Sequence, residues 1–220
     1  MNKFLLLTLT AIAVSKNIIL IGDSRFVGMG IYLMGFPYAT TTQYYGTGTN
    51  IRSTSAKSYG GHSFQCTAQV GASSYTFKSG SDIYNSMINQ FKKAASGTTV
   101  IFWLGINDPD AIDSTFNFYA KLAKSYPNLK FYAFSITGVN SNKIKDISNN
   151  KVKNFNSKIS QKISNANISN LKYRSIVDGN DVNTVLVGGS KVNILNYSTD
   201  GLHYNKPGYT QIWNAMSSKI

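Results

Sequence analysis

Acidic side chains are scarce in this chain: 9 Asp and Glu stand against 22 Lys and Arg, giving a formal net charge of +13 over 220 residues. Such a balance draws a protein toward anionic partners, whether nucleic acid, a membrane surface or a cell wall. The lysines are scattered rather than gathered in a run, and no nucleic-acid-binding signature is present, so nucleic acid is not an expected partner. A solvated basic surface, able to associate electrostatically with an anionic cell wall, is the simpler reading. Cysteine is nearly absent. Cys66 stands alone, so an internal disulfide is excluded, and its apolar-leaning surroundings suit a buried, inert thiol. Histidine is almost as rare, and His62 with Cys66 makes no cluster of ligand types, so no metal and no cofactor is expected. The turn Gly22-Asp23-Ser24 lacks a glycine-rich phosphate fingerprint and no Walker lysine follows it, which argues against nucleotide binding.

What is present points to one globular domain. The length suffices for a sizeable core, 42% of residues are hydrophobic, and the aromatic share of 13% rests mostly on 14 Tyr and 12 Phe. Met1 to Lys3 carry a small positive start, Phe4 to Val14 are apolar but too few to span a bilayer, and Ala13-Val14-Ser15 offers small residues at cleavage spacing. Residues 1–15 therefore read as a secretory signal peptide, with 16–220 as the domain and a secreted or cell-surface location. The alternative is that this stretch is the domain's first strand or helix.

Short apolar runs then alternate with amphipathic stretches, the pattern of an α/β fold whose parallel sheet is covered on both faces. Five strands are expected, at Asn17–Ile21, Phe64–Val70, Thr99–Leu104, Leu129–Ile136 and Leu171–Val177. Helical spacing relates Ile83, Met87, Phe91 and Ala94, then Phe116, Tyr119 and Ala123, then Val152, Phe155, Ile159 and Ile163. A last helix spans Pro207 to Ser217, opened by Asn205 and Pro207. Gly35 to Gly61, rich in Gly, Thr, Ser and Tyr without a clear period, reads as long loops. The Asn-, Lys- and Ser-rich stretch from Asn140 to Asn170 reads as a polar-faced helix.

In an open parallel sheet, the loops at the carboxyl ends of the strands form the ligand crevice. Gly22-Asp23-Ser24 follows the first strand, Gly71 the second, Gly105-Ile106-Asn107-Asp108 the third, and Asp200-Gly201-Leu202-His203 precedes the final helix. Ser24 sits at a sharp strand-to-helix turn, which exposes a nucleophile well. His203 is the natural base, and Asp200, three residues earlier, is near enough in a turn to hold one ring nitrogen. Asp178, near the end of the fifth strand, is the other candidate for that role. The backbone N–H groups of Ser24 and Gly71 and the side-chain amide of Asn107 are candidate oxyanion donors.

These four blocks resemble, in order, the signature blocks of the SGNH hydrolases, also called GDSL esterases, with Ser24, Gly71, Asn107 and His203 at the four lettered positions. The resemblance runs from residue 22 to 203 and continues through Tyr204-Asn205-Lys206-Pro207-Gly208-Tyr209. It implies a flavodoxin-like three-layer α/β/α sandwich, Ser24 as nucleophile, His203 as base, and Gly71 and Asn107 as oxyanion donors. One departure is Arg25, where the family usually has Leu. Arg25 is expected either to contact substrate or to lie on the helix surface.

The resemblance implies a serine esterase that hydrolyses a carboxylic ester through an acyl-enzyme. An acyltransferase, thioesterase or lipase would use the same residues, and a non-catalytic glycan-binding protein on the same fold is the alternative from another class. Arg25, Tyr75 and His62 are candidate substrate contacts. Phe36, Tyr38, Tyr44, Tyr45 and Tyr59 either line the mouth, where they would suit a sugar, or pack their own loops. The region lacks a continuous apolar surface in the sequence, which favours an acetylated polysaccharide or cell-wall glycan over a long acyl chain.

Overall fold

The computed structural model describes residues 15–43, 46–179 and 181–220. Its centre is a sheet in which five strands run parallel: β1 (Asn17–Gly22), β5 (His62–Gln69), β6 (Thr99–Trp103), β7 (Lys130–Phe134) and β8 (Leu171–Arg174), in the spatial order β5-β1-β6-β7-β8. That is the flavodoxin-like order, in which the chain moves outward from β1 on one side and then crosses back to the other. Ile18, Ile19, Leu20 and Ile21 of β1 are all buried, as expected for a strand covered on both faces.

Alternation along β6 shows how the layers form. Trp103 meets Phe26 of α1 (Ser24–Tyr32), whereas its neighbour Phe102 stacks on Tyr119 of α3 (Ile112–Ser125). Successive strand residues point to opposite faces, so α1 and α3 lie on opposite sides of the sheet. Phe91 of α2 (Asp82–Lys93) and Phe102 both contact Phe131, and α4 (Asn149–Asn165) packs beside α3. On the other face, α5 (Lys206–Ser217) sets Trp213 against Phe64 and lies beside α1. The result is the three-layer sandwich.

Two regions differ from the sequence reading. Gly35–Gly61 is not all loop: β2 (Ala39–Gln43), β3 (Gly46–Arg52) and β4 (Lys57–Tyr59) extend the sheet antiparallel, with β3 pairing Ile51 against Ala68 of β5. Threonine suits a pleated strand, but Thr set among Gly, Gln and Asn leaves no apolar period to read. The fifth expected strand also ends early. After β8 the chain builds a small antiparallel sheet from β9 (Val177–Asp178), β10 (Asp181–Val187) and β11 (Ser190–Asn193). Gly188-Gly189, both at positive φ, forms the two-residue hairpin turn between Val187 and Ser190.

The asparagine-rich stretch does more than solvate a helix. Asn156 is buried, and its side chain accepts from Ile136 N–H at 2.8 Å and donates to Ile136 C=O at 2.9 Å. Asn149 does the same for Val139, at 2.8 and 3.0 Å. Asn170 donates to the carbonyls of Ala123, Tyr126 and Leu129. These amides satisfy the backbone where β7 leaves the sheet and where α3 ends, at points with no strand or helix partner. Asn156→Ala orphans both polar groups of Ile136, and urea unfolding is expected to show a loss of about 2–4 kcal/mol. A loss below about 1 kcal/mol would contradict the clasp.

Candidate active site

The carboxyl ends of β1 and β6 lie side by side, Gly22 opposite Trp103, at the point where the strand order reverses. There β1 turns directly into α1. Asp23 caps the helix, its Oδ1 accepting from Arg25 N–H at 3.0 Å rather than from the N–H of Ser24. Ser24 Oγ lies 2.7 Å from Nε2 of His203. His203 Nδ1 lies 2.6 Å from Oδ2 of Asp200. Asp200 Oδ1 also accepts from the N–H groups of Leu202, at 2.9 Å, and His203, at 2.7 Å, which winds the Asp-Gly-Leu-His segment into a tight turn.

This chain of contacts fixes the proton positions. Partial burial pushes the Asp200 carboxyl up, but donation from the His203 ring and from the N–H groups of His203 and Leu202, with the histidine's charge, outweighs it and leaves the group at about 2. An ionised carboxylate only accepts, so in the neutral imidazole Nδ1 carries the hydrogen and Nε2 is left to accept from the Ser24 hydroxyl. Asp178, the other candidate, instead pairs with Lys191 at 2.7 Å in the small sheet.

Gly71, at φ +73°, occupies the left-handed region that favours glycine, in the loop after β5. Asn107 donates one amide hydrogen to the carbonyl of Ala72 at 2.9 Å, tying the β5 and β6 loops together and leaving its second hydrogen for another acceptor.

Arg25 neither reaches solvent nor lies on the helix surface. It is fully buried, with Nε and Nη2 on the two oxygens of Asp23 at 3.1 and 2.9 Å and its guanidinium 4.3 Å over the Trp103 ring. Its Nη1 lies 3.5 Å from Thr137 Oγ1, which is 2.7 Å from the Tyr204 hydroxyl. Tyr204 follows His203, so the buried charge links the serine turn to the histidine loop behind the site. A Leu at this position would fill the space with apolar atoms; Arg fills it with an ion pair that its neighbours must satisfy.

The other expected contacts lie elsewhere. His62 is at the amino end of β5, accepting from Lys16 N–H at 3.2 Å and packing its edge on Trp213. Tyr75 is exposed beside the start of α3, in a separate hollow with Asp110 and Lys158. Phe36 is buried in the core, and Tyr59 pairs with His62 far from the serine. Tyr44 and Tyr45, like the leader through Val14, fall outside the described residues.

A cleft of about 410 Å³ opens at Ser24 and His203, lined by Val27, Gly28, Ile31 and Tyr32 of α1 together with Val70 and Tyr209. The apolar wall comes from α1, Val70 and Tyr209, with only Thr49 contributed by the Gly35–Gly61 stretch. Ser24, Val27, Gly28, Ile31 and Tyr32 share one face of α1 at helical spacing, a signal present in the sequence but indistinguishable there from a core stripe. The link through Thr137 had no sequence signal, since residues 25, 137 and 204 are distant in the chain.

The fold is shared with several solved structures. A Streptococcus pneumoniae protein provisionally described as a platelet activating factor aligns over 95% of this chain and 86% of its own, at TM-score 0.58 and 16% identity. A provisionally described acylhydrolase from Bacteroides fragilis aligns over 92% and 85%, at 0.52 and 15%. Phospholipase A1 from Streptomyces albidoflavus aligns over 94% and 100%, at 0.50 and 14%. No protein-family model and no curated protein matches the sequence. The architecture is the one seen in these acylhydrolase, phospholipase and GDSL-like lipase structures, and equally in the C-terminal domain of Drosophila Oskar, at TM-score 0.50 and 14% identity.

Two outcomes check this geometry. Arg25→Leu strands a buried carboxylate and is expected to lower unfolding free energy by about 3–5 kcal/mol, whereas the double substitution Asp23→Leu with Arg25→Leu costs markedly less. Equal or greater loss in the double variant would contradict a mutually dependent pair. Second, the lowered Asp200 group stabilises the folded loop at every pH above the ordinary carboxylate range, and that contribution is lost as pH falls toward 2. The carboxyl-carbon NMR shift of Asp200 should show its own protonation step only near pH 2, while a carboxyl protonation midpoint near 4 would remove the claimed hydrogen bonding.

Proposed function

We propose that this protein hydrolyses carboxylic esters by way of an acyl-enzyme on Ser24. The observation that carries the reading is the continuous hydrogen-bond chain from Ser24 Oγ through both nitrogens of His203 to Asp200. Ser24 Oγ attacks the ester carbonyl carbon as its proton passes to Nε2 of His203, and the carbonyl oxygen becomes an oxyanion. The Ser24 and Gly71 N–H groups and the free amide hydrogen of Asn107 are the donors assigned to that oxygen. The intermediate collapses with cleavage of the bond to the alcohol oxygen, which takes the proton from Nε2 and leaves. Water then gives a proton to Nε2 and attacks the acyl carbon, the bond to Oγ breaks, and Oγ recovers the proton as the acid departs.

Asp200 holds the imidazole in the tautomer this cycle needs and offsets the positive charge that appears on it in each half. The pairing of Arg25 with Asp23 keeps the serine turn fixed against His203 while no part of it meets the substrate. We read the leader as a secretory signal, which sets the reaction outside the cell. A glycan as the alcohol side gains little support from the loop aromatics, since Phe36 is buried and Tyr59 is remote.

Ser24→Ala removes the nucleophile, and turnover of nitrophenyl acetate and butyrate is expected to drop at least roughly 10³-fold with circular dichroism unchanged. Turnover within about tenfold of wild type in that variant would reject the nucleophile assignment.

A further inference from the structure

The cleft beside Ser24 is not evenly lined. Along α1 it runs from Ser24 past Val27, Gly28 and Ile31 to Tyr32, eight residues on, a distance of about 12 Å at the helical rise. Val70, from the loop after β5, faces the same space. Tyr32, Tyr38, Val70 and Tyr75 are the large apolar or aromatic side chains exposed among the described residues, and two of them, Tyr32 and Val70, are in this cleft. Large apolar side chains left in water and gathered at one place mark a binding surface. By contrast Thr199, Asn205 and Lys206 put polar and cationic groups around His203.

The end of the cleft has its own construction. Tyr32 stacks on Tyr209 of α5 with ring centroids 6.0 Å apart and planes 24° from parallel. Gly28, one turn nearer Ser24, allows this: a Cβ there would overlap the Tyr209 hydroxyl. The absence of a side chain at 28 lets the Tyr209 ring lie against α1, and Tyr32 closes over it.

We propose that this cleft holds the acyl chain of a medium-chain ester, with the Tyr32–Tyr209 stack setting the longest chain that fits. The proposal rests on the ester-hydrolase reading and names the substrate's acyl side. With the carbonyl at Ser24, the chain lies along Val27 and Ile31 against Val70 and meets Tyr32. An extended chain of about eight to ten carbons covers a like distance. The alcohol portion faces the polar segment around His203, where Lys206 favours an alcohol bearing an anionic group.

The test measures kcat/KM for nitrophenyl esters from acetyl to dodecanoyl in wild type, Tyr32→Ala and Val70→Trp. Tyr32 and Val70 are exposed, so both variants keep the core. For wild type, kcat/KM should rise about threefold per added methylene, peak near octanoyl or decanoyl and then fall. Tyr32→Ala should move the peak at least two carbons longer, and Val70→Trp should cut the octanoyl-to-acetyl ratio about tenfold or more. A wild-type preference for acetyl, with that ratio unchanged in both variants, overturns the acyl subsite and leaves ester hydrolysis standing. No turnover of any ester, acetyl included, overturns both.

Discussion

The carboxylate of Asp23 lies at the junction of β1 and α1 with no access to water, and it holds three things at once. One oxygen caps the helix that begins at Ser24, both oxygens engage the Arg25 guanidinium, and through Arg25 the junction reaches Thr137 and Tyr204. A buried carboxylate would be costly without these partners, and a buried guanidinium equally so. Each makes the other tolerable, and their mutual demand leaves the strand-to-helix turn little freedom. The serine hydroxyl is therefore presented at a fixed angle, and the residue beyond His203 is secured by the same network. Packing of Trp103 under the guanidinium adds a flat face that favours Arg over Lys.

The front of the site is held by different forces. Asp200 is half exposed and acts through short hydrogen bonds, which wind its own loop and orient the imidazole. Asn107 ties its loop to the one carrying Gly71. The back of the site is thus dry and held by buried charge, the front wetter and held by hydrogen bonds. The apolar cleft adjoins both, reaching from Ser24 along α1.

How far this was legible in the sequence depended on how local each signal was. β1 announces itself through Ile18 to Ile21, and α4 through Val152, Phe155, Ile159 and Ile163, because burial of a whole strand or helix face leaves a period. The serine turn and the Asp-Gly-Leu-His segment are each legible as short local motifs, whereas the 2.7 Å contact that joins them spans 179 residues. β2 and β3 carry Thr and Gly with little apolar pattern, and the β9–β11 sheet has only the short hairpin signal Gly188-Gly189 between strands of two to seven residues. Arg25 was misplaced for another reason. A charge in the first turn of a helix is exposed by default, and nothing nearby in sequence reveals that Asp23, Trp103 and Thr137 enclose it. The asparagine clasps at 149, 156 and 170 were hidden likewise, since composition alone cannot separate a solvated amide from one that satisfies buried backbone.

The central claim is that Ser24 is a nucleophile made reactive by His203. The direct measurement is intact-mass spectrometry after brief exposure to an alkyl fluorophosphonate, with the adduct mapped by peptide fragmentation. One equivalent of phosphonyl label on Ser24, lost or greatly slowed in a His203→Ala variant, is the result the account predicts. No adduct on Ser24, or labelling at an unchanged rate without His203, would contradict it.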